Sequence, residues 1–135
     1  MLEEYRADDE GAESSPSEGL VDFAQFDAMI DSPDSPCVKI YSDFVKSAQQ
    51  FLVDVRNALS EGNDEEVRSI THQLKGASAS FGLTGFSARM WACEEAARNE
   101  ACSSGQVSAM SWYEESVRLL ITSAEVIAAQ RQITV

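Results

Sequence analysis

The chain holds a single histidine, His72, and the residues around it decide what chemistry its imidazole could do. Arg68 and Ser69 lie one turn before it, Lys75 and Gly76 one turn after it, and Ala79 at i+7. On a helix these positions are close neighbours. A neutral imidazole offers a lone pair on one ring nitrogen while the other carries the proton, and an unperturbed ring titrates near ~6.5, so much of it is nucleophilic at pH 7. In a chain of net charge -13, cations at i−4 and i+3 of the only imidazole would draw an anionic group toward it. Mid-helix glycine costs ~1 kcal/mol relative to alanine, so Gly76 needs a reason, and a bare strip beside the ring where another protein can approach supplies one. This combination suits a nucleophile that accepts a phosphoryl group from a docked partner.

For that chemistry the ring must face outward, which depends on the helix that carries it. Val67, Ile70, Leu74, Ala77 and Phe81 recur at helical spacing before Gly82 closes the segment, and Asn63 or Asp64 can cap its start, with Glu65 and Glu66 in the first turn. At ~100° per residue, His72 falls roughly 170° from the centre of that apolar stripe and Lys75 roughly 110°. The histidine is therefore expected on the solvent side, with no base of its own required.

Four other segments share the three-and-four periodicity. Leu20, Phe23, Phe26, Met29 and Ile30 predict a short helix, stopped by the double-proline run at 31–36. A long helix follows from Cys37 to Leu59 and ends at Gly62. Thr84 starts another, with Phe86, Met90, Cys93 and Ala97 on one face. After Ser103-Ser104-Gly105, the residues Val107, Met110, Tyr113, Val117, Leu120, Ile121, Ala124, Ile127 and Ala128 predict a last long helix. No segment alternates at period two for long enough to form a strand. Four substantial helices with short connections predict an all-α, up-down-up-down antiparallel four-helix bundle with a short extra N-terminal helix, over residues 19–135. Residues 1–18, rich in Asp, Glu and Ser, read as a disordered acidic arm.

Composition narrows the function classes. With 135 residues, 44% hydrophobic and 24% charged, the chain fits one small globular domain. Its 23 acidic against 10 basic residues give the wrong sign for nucleic acid or an anionic membrane surface. No run approaches a bilayer span and the start is not a signal peptide, so the expected place is the cytoplasm, with access to the nucleus if the source is eukaryotic. Cys37, Cys93 and Cys102 have no C-x-x-C spacing, and one histidine is too few to complete a zinc set, so neither a disulfide nor a structural metal is expected. There is no phosphate-cradling glycine loop or nucleotide motif, so no kinase or ATPase activity of its own is expected.

The run Thr71-His72-Gln73-Leu74-Lys75-Gly76-Ala77-Ser78-Ala79-Ser80-Phe81-Gly82 resembles the H-x-L-K-G-x-S-x-x-x-G signature of histidine-containing phosphotransfer (HPt) domains. The segment from Phe86 to Arg98 fits the family's next helix without a gap, and the helix order agrees over most of residues 20–130. The chain is similar to a free-standing, monomeric HPt protein of a multistep phosphorelay. The resemblance implies that His72 takes phosphate from an aspartyl phosphate on one receiver domain, that of a hybrid histidine kinase, and passes it to the receiver aspartate of a response regulator. It also implies that Lys75 steadies the phosphoryl oxygens and Gly76 leaves room for the receiver. The protein would need no cofactor, Mg²⁺ being expected on the receiver. Family members often carry a second serine where this chain has Ala77.

Further residues have a functional and a plain reading. Arg68 is a second cation for the site or a partner of Asp64 at i−4. Ser78, near the apolar stripe, is expected to bond its own helix backbone or a neighbouring helix rather than contact phosphate. Trp91 and Arg98 sit roughly 130° and 110° from the apolar centre of their helix, so Trp91 is an edge aromatic for partner contact or packing, and Arg98 is solvated or leans toward the site. Glu94 is expected to have a structural role at the helix border. Phe23, Phe26, Met29 and Ile30 either cap the core or form a hydrophobic docking patch beside His72. Two rivals remain: the phosphoacceptor domain of a chemotaxis-type kinase, disfavoured by the initiating Met1 and the absence of kinase sequence, and a non-catalytic helical adaptor, disfavoured by the retained His72. A metal-dependent hydrolase lacks the paired E-x-x-H motifs it would need.

Overall fold

The computed structural model describes residues 19–135; the acidic arm at 1–18 lies outside the described residues. Among the described residues from Phe23 onward the helices follow in order: α1 (Phe23–Met29), α2 (Cys37–Ser60), α3 (Asp64–Ser80), α4 (Thr84–Arg98) and α5 (Ala109–Arg131). Among the described residues there is no strand, and no helix is long and apolar enough to cross a membrane. Each long helix packs on the next, and α5 returns to α2, so the four enclose one core while α1 rests against α3.

The local signals act where the sequence places them. Asn63 caps α3 by accepting from Glu66 N at 3.1 Å, and the three acidic residues of the first turn face the positive helix end. Asp64, the partner of Arg68 in one of that residue's two readings, accepts from the backbone N–H groups of Cys102 and Ser103 at 2.9 and 3.1 Å, which fastens the α4–α5 connection to the start of α3. The double-proline run separates α1 from α2 as expected, although α1 is shorter than its apolar run: Ile30 is its C-cap and Leu20 precedes it. Cys93 and Cys102 are buried free thiols, and Cys37 is a half-buried one.

Two faces differ from their reading in sequence. In α5 the inward residues are Trp112, Ser116, Leu120, Ser123 and Ile127, whereas Met110 is 53% exposed. Periodicity could not select Trp112 over Met110, because the serines that share its stripe count as polar. Ser123 is buried without loss because its hydroxyl donates to Leu119 O at 2.7 Å.

The second face is that of α3, where Val67, Thr71, Leu74 and Ser78 are buried. Thr71 Oγ1 donates to Val67 O and Ser78 Oγ to Leu74 O, both at 2.7 Å, so each hydroxyl is satisfied inside its own helix. Of the two bonds expected of Ser78, the structure has the one to its own helix backbone. Including both hydroxyl residues turns the buried face by roughly 40° relative to the apolar stripe alone. Lys75 then lies roughly 70° from its centre and His72 roughly 130°, both closer to the seam with α4.

Candidate functional site

The α3–α4 seam carries the candidate site. His72 remains on the outside, its side chain 65% exposed. Glu94, from α4, is the surprise: it is 2% exposed and its carboxylate lies under the histidine. His72 Nδ1 is 2.9 Å from Glu94 Oε2, Lys75 Nζ is 2.8 Å from Oε1, and Arg98, one turn along α4, donates to Oε2 at 3.0 Å. Arg98 is shared with Glu95, whose Oε2 is 3.3 Å from its Nε. A neighbouring bond across the seam, from Ser87 Oγ to Lys75 O at 3.1 Å, holds the two helices in this register.

Burial by itself would push the Glu94 carboxyl up, but the contacts with Lys75 and His72 outweigh it and hold the group below the usual carboxylate range. An ionised carboxylate can only accept hydrogen bonds, so Nδ1 must carry the proton. In the neutral ring that leaves Nε2 as the nitrogen with a free lone pair, on an exposed side chain. One buried acid therefore selects the tautomer of the neutral ring and the nitrogen that faces outward.

Of the candidate residues, the structure brings His72, Lys75 and Arg98 together around Glu94. Arg68, Ser69, Gly76 and Ala79 are exposed on the same helix. A Cβ built at Gly76 meets nothing within 4 Å, so no packing inside the chain explains this glycine. Gly82 is different. With φ +76°, an added Cβ would lie 2.4 Å from Asp22 O, and Asp22 N donates to Gly82 O at 2.7 Å. The end of α3 and the start of α1 are thereby pressed together, a contact extended by Gln25 Nε2 donating to Ser80 O at 3.0 Å. Beside Lys75 and Ala79 this leaves a cleft of about 470 Å³, whose wall includes Gln25, Ser87 and Trp91. Trp91 is 54% exposed.

Of the two readings of the first helix, core cap or docking patch, the docking one is corrected for Phe26 and Ile30. Phe26 is 0% exposed and its ring meets Tyr41 edge-on at 5.5 Å, so it belongs to the core. Ile30 is buried with it. Phe23 is half-buried, with the Arg131 guanidinium 4.3 Å above its ring. Only Met29, 38% exposed, keeps an open apolar side chain. A short helix lying on a bundle must spend its largest side chains on attachment, which leaves few for a partner.

Glu94 is the residue whose role sequence reasoning missed. It sits roughly 70° from the apolar centre of α4, at the border of its buried face, where sequence marks a border but not what covers it. Its i+4 relation to Arg98 was the one available signal. Among the described residues no group of three or more His, Cys, Asp or Glu side chains is placed to hold a metal ion.

With the helical scaffold and the His–Glu–Lys seam in view, comparison with known families gives a consistent assignment: the Hpt domain family model matches residues 39–129, more than half of the chain. The chain belongs to the Hpt domain family, and histidine phosphotransfer in phosphorelay signalling is the activity that this membership implies. No curated protein and no solved structure matches the chain.

Proposed function

We propose that this protein is a phosphocarrier in which His72 Nε2 accepts a phosphoryl group from the aspartyl phosphate of one receiver domain and hands it to the aspartate of another. The observation that carries the reading is the exposed imidazole whose Nδ1 is tied to a buried carboxylate. Nucleophile and orienting acid are thus arranged without a base that would have to remove a proton at the moment of attack. Lys75 and Arg98, at rest on Glu94, stand within a side chain's swing of the phosphoryl oxygens and would neutralise their charge, the main contribution a protein can make to a loose phosphoryl-transfer transition state.

The donor and acceptor receivers belong to a hybrid histidine kinase and a response regulator, and each brings its own aspartate and Mg²⁺. Gly76, Ser69 and Ala79 give a receiver a low strip on which to settle, with Arg68 at its margin and Trp91, Met29 and the cleft by Gln25 as its edge. Residues 19–135 act as one monomeric domain whose four long helices alternate up and down.

The direct test is incubation with a phosphorylated receiver. Label that is acid-labile, base-stable and mapped to His72 is expected. A chain that binds the receiver tightly but takes no label would instead be an adaptor, and the carrier reading would fall.

A further inference from the structure

When a neutral imidazole attacks phosphorus through Nε2, the ring becomes a cation unless Nδ1 gives up its proton. The two products behave differently. A protonated ring leaves as neutral imidazole, whereas an unprotonated one must leave as imidazolate, a far poorer leaving group. In His72 the deciding proton lies on Nδ1, 2.9 Å from Glu94 Oε2. That carboxylate is 2% exposed and the histidine side chain above it 65%, so water screens the contact less than it would at the open surface. The titratable and charged groups facing Glu94 are the His72 ring and the Lys75 ammonium from α3 and the Arg98 guanidinium from its own helix.

Resting on the phosphocarrier reading, we propose that Glu94 is a positioning residue for the second half of the relay: by retaining the Nδ1 proton it holds phospho-His72 as the N-phosphoimidazolium and so sets how readily the phosphoryl group is passed on. In the first transfer the Nε2 lone pair forms the N–P bond, the acyl O–P bond of the donor breaks, and its electron pair leaves on the donor carboxylate. The ring carries one positive charge, paired with Glu94. In the second transfer a carboxylate oxygen of the acceptor attacks phosphorus, the N–P bond breaks, and its pair returns to Nε2. The ring is neutral again with the same proton on Nδ1, so neither step exchanges a proton with water.

Glu94→Gln separates charge from hydrogen bonding, because the amide oxygen can still accept from Nδ1–H but cannot balance a cation. Phosphoramidate serves as phosphoryl donor for the full chain: its P–N bond breaks, ammonia leaves, and no receiver is needed. An opposite charge at this distance favours the charged form by one or more orders of magnitude, so the phosphohistidine of the variant should live about tenfold longer at about pH 7.5 and pass its phosphoryl group to a receiver about tenfold more slowly. Nitrogen NMR should show Nδ1 of phospho-His72 protonated in the wild type and largely bare in the variant, a difference that a merely structural role would not produce. An unchanged or shorter lifetime in a folded variant overturns the proposal. So does a bare Nδ1 in the wild-type phosphoprotein, a measurement that decides the matter even if the variant fails to fold. Failure of a phosphorylated receiver to label His72 would overturn the relay reading alone, since the phosphoramidate comparison still decides the role of Glu94.

Discussion

Glu94 and Asp27 each join two helices through basic side chains, Glu94 from α4 to α3 and Asp27 from α1 to α5. Asp27 is 46% exposed and takes Arg131 in a two-point grip, Nε to Oδ1 at 2.7 Å and NH2 to Oδ2 at 2.8 Å, with the same guanidinium lying over Phe23. Glu94 is almost wholly buried and serves three partners, one of them the His72 imidazole. Both carboxyls are held below their ordinary range. For Asp27 the hydrogen bond from Arg131 is the main cause, whereas for Glu94 the attraction of its partners must first overcome burial. The exposed pair has good geometry in a medium that screens it, so it can seat a helix but contributes little energy. The buried acid sits where charge is felt strongly, and its influence passes into the reactivity of a ring. Similar ion pairs thus do different work according to the water around them.

The largest effect should come from the nucleophile. His72→Gln is expected to abolish phosphoryl acceptance while helical content and melting temperature stay nearly unchanged, since the side chain is exposed and Glu94 keeps Arg98 and Lys75. Acid-labile label on this variant would refute the assignment.

Lys75→Ala should slow transfer by about 10²-fold, the usual loss when one preorganised charge partner of a transition state is removed. Receiver affinity, measured by titration, should change much less than the rate seen by rapid quench. Equal losses in both would make Lys75 a docking residue.

Gly76→Gln should reduce transfer about tenfold or more by displacing the receiver from in-line geometry, and yet stabilise the helix by up to ~1 kcal/mol, because open space surrounds the new Cβ. A variant that transfers at the wild-type rate would show that the strip is not an approach path.

Asp27→Asn should have the smallest effect, lowering stability by less than about 1 kcal/mol and leaving transfer nearly unaltered. The pH dependence follows from the direction of both shifts. A carboxyl depressed in the folded state stabilises the fold above its unfolded value, and that contribution disappears as pH falls through the depressed folded value. The difference between wild type and Asp27→Asn in thermal melts should therefore vanish on acidification below the ordinary carboxylate range. A difference that grew with acid would contradict the ion pair.

The helical segments, the caps of α3 and the outward direction of His72 were legible in sequence because each depends on spacing within a single helix. The structure agrees at Asn63, at the double proline and at Ser78, all governed by contacts a few residues apart. Phe26 marks the limit: apolar periodicity placed it on the correct face of α1, but whether that face meets a partner or Tyr41 is a question about another helix. The choice of Trp112 over Met110 and the rotated face of α3 have the same origin, since buried serine and threonine residues are invisible to a pattern of apolar residues.

By itself the amino-acid sequence determined that a lone imidazole would stand on the wet side of a helix with cations one turn away on either side, because helical geometry relates those positions directly. Only the tertiary structure decided that Glu94 would lie beneath it, which ring nitrogen would keep the proton, and that Lys75 and Arg98 would rest on that carboxylate. The physical reason is that a charged group becomes buriable through what a neighbouring helix brings to it, and α3 and α4 meet in one register out of many that their separate patterns allow.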